Sequence, residues 1–475
     1  MLQPARFGVF ILLFALALQA CGGGSAGGHY APLQNRFDRR MASSTGVDWP
    51  TFGFNRQRWS YNPFETTLTP ATVAGLTLKY SFQLRAKHTN TQPIVATNVK
   101  LLSGVHTTLV FVGDEGGNLY AIDDSTGTAA WSKTLGKGHS SCWSYTSNGV
   151  TSDPVIDRRS GRIYVLDGAG TLWAFDIWSG KRADGFPPLQ AFTDPNINHT
   201  WSGLLLDWAR NTLYYPTASH CDSGTYYGTI NAVDTTTQQI TTFNLVVDKS
   251  SYYANGVWSW GGESIDPDDR NLFAGVGNSK GSLGESGTYS DSVIELTKSL
   301  QFVADEQPDG NLQGDLDIGT TPVPFNDGSA KCLAFERKDG NFFSIDRTNL
   351  QNGQYVTELH LGGALAGAAY SPAQNALYVS VPRGVTKLAI GANCALSIAW
   401  QTASIHATGS SVPAVAGGVV YAAGDNIVYA VDAGTGAMLW NSGATIKGRV
   451  AAEPTIVNGR LYAASWDGHL YVFGL

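Results

Sequence analysis

Ser219-His220-Cys221-Asp222-Ser223-Gly224 is a polar, cysteine-bearing stretch in a chain otherwise made of monotonous β-type segments. Upstream lies an isolated Cys142, and downstream come Asn278 and the acidic pair Asp315 and Asp317. Carboxylate and amide oxygens suit an oxygen-seeking cation, and a carboxylate in a buried or charged setting suits proton abstraction. If the fold brings these loops together, they make a cofactor site. Taken singly, each residue has a plainer reading. Asp222 reads as an Asx-turn residue, Asn278 between Gly277 and Ser279 as a left-handed turn residue, and Asp315 and Asp317 as turn caps. Lys338 alone is a solvated turn cation, and Trp260 alone belongs to a core.

The elements that must position these loops recur along the chain. A short β-branched or aromatic strand, a Gly/Asp/Asn turn and a second strand ending in A-x-D are followed by a T-G turn and often Trp. One copy runs from Leu109-Val110-Phe111-Val112 through Ala121-Ile122-Asp123 and Thr126-Gly127 to Trp131. Others run from Arg162 to Gly180 and from Val420 through Ala430-Val431-Asp432 to Trp440, and a truncated copy spans Leu461–Phe473. Each unit reads as three or four antiparallel strands with tight Asp/Gly reversals. One such sheet cannot bury both faces, and radial stacking solves this. The fold class is all-β: a single β-propeller of about eight four-stranded blades, each of about fifty residues.

The last unit stops at Leu475 without its outer strand, and Leu76–Phe82 resembles the missing piece. Pairing of these N- and C-terminal strands is expected to close the ring and remove the open edge. The seven-unit excess of acidic over basic residues, with no Lys/Arg run, argues against nucleic acid as a partner. The 55 glycines and 15% charged residues fit short strands joined by tight turns.

The first residues read as an address. Arg6 is a basic start, Phe7–Leu18 an apolar run, and Leu18-Gln19-Ala20-Cys21 a lipobox-like site at which cleavage would leave Cys21 lipidated. The expected organisation is a lipoprotein signal peptide over 1–20, a Gly-rich tether and linker over 21–47, and the propeller over 48–475. The expected location is the cell envelope, on the periplasmic face of the outer membrane, with membrane contact through the N-terminal lipid alone. Export places Cys142, Cys221, Cys332 and Cys394 in an oxidising compartment, where they allow three pairings. No C-x-x-C-H haem motif and no Cys/His zinc-type spacing occurs.

The A-x-D-x-x-T-G-x-x-x-W repeat, together with Asp48-Trp49-Pro50-Thr51-Phe52-Gly53, resembles the pyrroloquinoline quinone (PQQ) repeat of bacterial quinoprotein propellers. The resemblance spans about residues 48–475 and covers both alcohol dehydrogenases and non-catalytic BamB-like lipoproteins. For the dehydrogenases it implies PQQ and Ca²⁺ near the axis and a small alcohol as substrate. Carried residue by residue, it implies Asp222 and Asn278 as metal ligands, Trp260 as the stacking platform, Lys338 as a quinone contact and Asp317 as the catalytic base. The family's vicinal Cys-Cys pair beside the quinone is represented by Cys142-Trp143 alone, Asp222 stands where the family has Glu, and Leu316 where it has Trp. Cys142 and Cys221 fall in loops of neighbouring units and are expected to form a disulfide, leaving Cys332 with Cys394. For BamB-like relatives the resemblance implies a scaffold for envelope proteins.

Overall fold

The computed structural model describes residues 46–475 and the short Ala42–Ser43 strand, apart from 141–146, 282–287, 309–314, 363, 364, 366, 383, 403, 404, 406 and 408–410. The expected signal segment, the lipidation site Cys21 and Cys142 lie outside the described residues. Ile94–Lys100, His106–Gly113, Asn118–Asp123 and Thr128–Thr134 form the first four-stranded antiparallel sheet. Seven further sheets follow, with first strands beginning at Val155, Leu205, Ser264, Val323, Ala368, Ala414 and Thr455. We number these blades 1 to 8 in chain order.

Burial explains the arrangement. The first strand of blade 2, Val155–Asp157, is wholly buried, whereas the last strand of blade 1, Thr128–Thr134, is half exposed. The middle strands are buried on both faces because each sheet packs against its neighbours. Alternate apolar residues fill the layers between blades, and no blade is stable without the next.

The Trp of the repeat is an inter-blade staple. Trp131 of blade 1 donates its indole N–H to the Ile177 carbonyl of blade 2 at 2.8 Å, and its ring covers Gly180. Trp400 of blade 6 does the same over Gly436 of blade 7, with its N–H on the Gly434 carbonyl at 3.0 Å. At Gly436, φ is +75°, and a Cβ would meet the Trp400 ring at 2.9 Å. The T-G turn therefore needs glycine for both backbone conformation and close approach.

The ring closes as expected. Thr77–Gln83 pairs antiparallel with His469–Gly474, in the register Leu78 to Phe473 and Tyr80 to Val472, and completes blade 8. The preceding segment runs across the ring. Trp49 bridges Val95 of blade 1, Arg58 donates to the Gly203 and Glu263 carbonyls before blades 3 and 4, and Tyr61–Asn62 pairs with Ala414–Ala416 of blade 7. Cys332 of blade 5 and Cys394 of blade 6 form a disulfide, both fully buried. Among the described residues no helix is long and apolar enough to cross a membrane.

Candidate functional site

The loops that open each blade turn inward, and on one side of the ring they enclose a cavity of about 340 Å³. Its wall contains Cys221, Asp222, Trp260, Asn278, Asp317 and Lys338, so these residues singled out from the sequence come to one place, while Asp315 is outside the wall and pairs with Lys338. Cys221 is disulfide-bonded; its expected partner, Cys142, is outside the described residues. Trp201, Tyr226, Trp258, Arg449 and Trp466 also line it and were not anticipated. One signal was available for two of them. Trp201-Ser202-Gly203 and Trp260-Gly261-Gly262 stand at equivalent places before successive first strands, and Trp258 is two residues from the second.

The opening stretch lies between two strands of blade 3, Thr212–Pro216 and Thr229–Asp234. Cys221 and Asp222 both adopt left-handed backbone, with φ of 53° and 49°. Two consecutive left-handed residues are costly away from glycine, and the disulfide and the Asp222 side-chain contacts hold them. Tyr226 donates its hydroxyl to Asp222 Oδ1 at 2.5 Å, and Lys280 Nζ lies 3.4 Å from Asp222 Oδ2. Beside them, Ser140 and His220 are hydrogen-bonded through Oγ and Nδ1. His220 packs edge-on against Trp201 with centroids 4.9 Å apart. Burial pushes His220 down to about 4 and His199 behind it to about 3, so both imidazoles are neutral at neutral pH.

The acidic end is built on blades 4 and 5. Asp317, 4% exposed in its side chain, accepts the Asn278 backbone N–H on Oδ1 at 2.5 Å and the Lys338 ammonium on Oδ2 at 3.0 Å. Lys338 also pairs with the exposed Asp315. Burial raises Asp317 to about 6 against the pull of Lys338, and its hydrogen bond with Asp315 adds to the rise. Burial acts upward on Asp315 too, but hydrogen bonds from Lys338 and Asp317 outweigh it and hold Asp315 low. For Lys338 the two carboxylates outweigh burial, and its pKa is raised. The ammonium sits 5.5 Å from the centre of the Trp258 ring, a cation–π contact. Trp258 is held close: a Cβ on Gly319 would meet its ring at 2.5 Å, and one on Gly277 would meet Asp317 Oδ1 at 2.7 Å.

Across the cavity, the Arg449 guanidinium lies 5.2 Å from the centre of the Trp466 ring, whose N–H donates to Asn90 Oδ1 at 3.1 Å. Asn90 in turn donates to Glu115 at 2.6 Å. Aromatic walls with cations at both ends fit a flat ring bearing anionic groups. The donor set fits a divalent cation poorly, because both oxygens of Asp222 and both of Asp317 already accept a proton donor or face an ammonium. Among the described residues, the group of metal-capable side chains that does converge is Asp327, Cys332 and Cys394, and its two sulfurs are joined to each other.

The family model described as outer membrane protein assembly factor BamB matches residues 79–215 and 396–474. No curated protein sequence matches significantly. Among solved structures, the quinohemoprotein alcohol dehydrogenase from Comamonas testosteroni is similar at 17% identity, over 92% of this chain and 81% of its own, with a TM-score of 0.68. A europium-containing methanol dehydrogenase matches at 14% identity, over 92% and 99%, with a TM-score of 0.69. BamB from Moraxella catarrhalis matches at 15% identity, over 84% and 100%, with a TM-score of 0.53. The chain is a β-propeller, similar in fold both to quinoprotein dehydrogenases and to BamB.

Proposed function

We propose that the axial cavity binds a PQQ-like quinone and that the protein is a quinoprotein oxidoreductase acting on a small alcohol. The observation that supports this most is the convergence of Trp258, Trp260, Lys338, Asp317, Asp222 and Asn278 on one cavity from loops far apart in sequence. A quinone bound there would supply the acceptor for a hydride from the alcohol carbon. The chain's own residues do the rest. Trp258 and Trp260 offer ring faces, while Lys338 and Arg449 offer charge to anionic substituents or ring oxygens. Asp317 is the group to take the alcohol proton, on the oxygen that Lys338 now holds. Asn278 keeps that carboxylate in place through its backbone N–H. An envelope address with a lipid at Cys21 accords with this chemistry. Calcium is left out of the reading because the donor oxygens are already engaged.

The match to the BamB family model favours a second reading, a scaffold that presents its loops to envelope proteins. Reconstitution separates the two. Protein incubated with PQQ and freed of excess should carry quinone absorbance and oxidise alcohols with an artificial electron acceptor. Correctly folded protein that retains no quinone would leave the scaffold.

A further inference from the structure

We propose that the Lys280 ammonium, rather than a divalent cation, supplies the positive charge beside Asp222, so that the axial cavity takes its anionic ring ligand without a metal. This rests on the quinone reading and names the charge that the site uses. Lys280 lies in the Ser279–Gly281 strand that follows Asn278, so the residue next to one expected metal ligand but one carries the cation. Its Nζ is 3.4 Å from Asp222 Oδ2 and 3.4 Å from the Asp222 carbonyl oxygen. The other carboxylate oxygen of Asp222 accepts from Tyr226. On the facing loop, Asp317 accepts from Asn278 and from Lys338 on its two oxygens. Both carboxylate oxygens of Asp222, the expected acidic ligand, are therefore engaged, as are both of the neighbouring Asp317.

Charge points the same way. Asp222, Asp315 and Asp317 stand against Lys280 and Lys338, leaving one net negative charge with the ammoniums interleaved among the acids. Lys280 also acts electrostatically on Asp315, more weakly than Lys338 does. A divalent ion seated between Asp222 and Asn278 would face like charge on two sides, at separations where the repulsion is felt even in a solvated cleft. It would also need six to eight oxygens, of which these are already bonded. A lysine needs none of that. It presents a compact charge with three donors, one of which serves Asp222 while another can reach a carbonyl or carboxylate oxygen of the ligand.

Two titrations of the full chain test this. In the first, terbium is added and read by the emission that nearby tryptophans sensitise, since Trp258 and Trp260 line the cavity. The native protein should show no saturable emission, and Lys280→Gln, which leaves Asp222 a neutral partner, should gain it by at least about tenfold in affinity. In the second, PQQ is added in EDTA. Its affinity should change by less than about threefold on adding calcium and fall by about tenfold or more in Lys280→Gln. Saturable terbium emission from the native protein that is lost in Asp222→Asn overturns the inference, as does quinone binding that requires calcium. Absence of quinone binding with and without calcium overturns the functional reading instead, and the terbium titration still decides which charge partners Asp222. Circular dichroism confirms that each variant is folded.

Discussion

Asp317 shows how a site residue is made by its surroundings. Its carboxylate is buried, fixed by one backbone N–H and one ammonium, and turned toward the cavity. Asp317→Asn keeps the shape and removes the base. Alcohol turnover should fall by about 10²- to 10⁴-fold while quinone affinity stays within about threefold, as steady-state kinetics and a binding titration would show. A second buried acid makes a prediction about pH. Glu263 is fully buried, and burial raises it to about 7 against the pull of its own backbone N–H and of the Arg58 guanidinium. Arg58 in turn feels Asp153 and Glu453 as well. A carboxyl whose folded pKa exceeds its unfolded one binds its proton more tightly when folded. Stability is then full below the unfolded value near 4.5 and declines as pH rises toward 7, by about 3 kcal/mol at most. Glu263→Gln should match the native melting temperature at pH 5 and exceed it at pH 8. An equal difference at both pH values would refute the assignment. At this scale the sequence was half legible. The carboxylates and Lys338 could be found from turns that offer no other reason for them, but Trp258, Lys280 and Arg449 act through neighbours on other blades, which no local pattern records.

At the scale of elements, the T-G turn and the Trp after the following strand work as one device across two blades. Gly436→Ala forces a Cβ into the Trp400 ring at 2.9 Å from a left-handed backbone. It should lower stability by about 1–3 kcal/mol in urea unfolding, with the site untouched. The contrast is Gly319, which packs against Trp258 in the cavity wall. Gly319→Ala should weaken quinone binding by about tenfold by pushing that indole out of place, a shift that a titration would detect. Strands and turns were readable because their pattern has period two and their reversals require Asp and Gly. Which loop residues share a cavity was less so, since Asp222 and Asp317 come from blades 3 and 5 and meet through the ring alone.

For the whole molecule, closure and covalent bracing matter most. The Thr77–Gln83 strand completes blade 8, so the two ends of the propeller unfold together. The repeat count and the missing last strand made this legible in the sequence. The cysteine pairing was legible only once the loops were assigned to blades: four cysteines alone allow three solutions, and the expected pairing of Cys142 with Cys221 left Cys332 to Cys394, the bridge that forms. That bridge closes a span of 62 residues. Replacing both cysteines by serine should cost up to about 4 kcal/mol and leave the ring intact, as thermal unfolding would show.

A flat quinone at the axis of this ring would lie against tryptophans on several blades. Titrating the folded protein with PQQ while following tryptophan fluorescence tests it most directly. Saturable quenching at one quinone per chain is expected, reduced when Trp258 is replaced by leucine and when Lys338 is replaced by methionine. Fluorescence that falls no further than the quinone's own light absorption explains would contradict it.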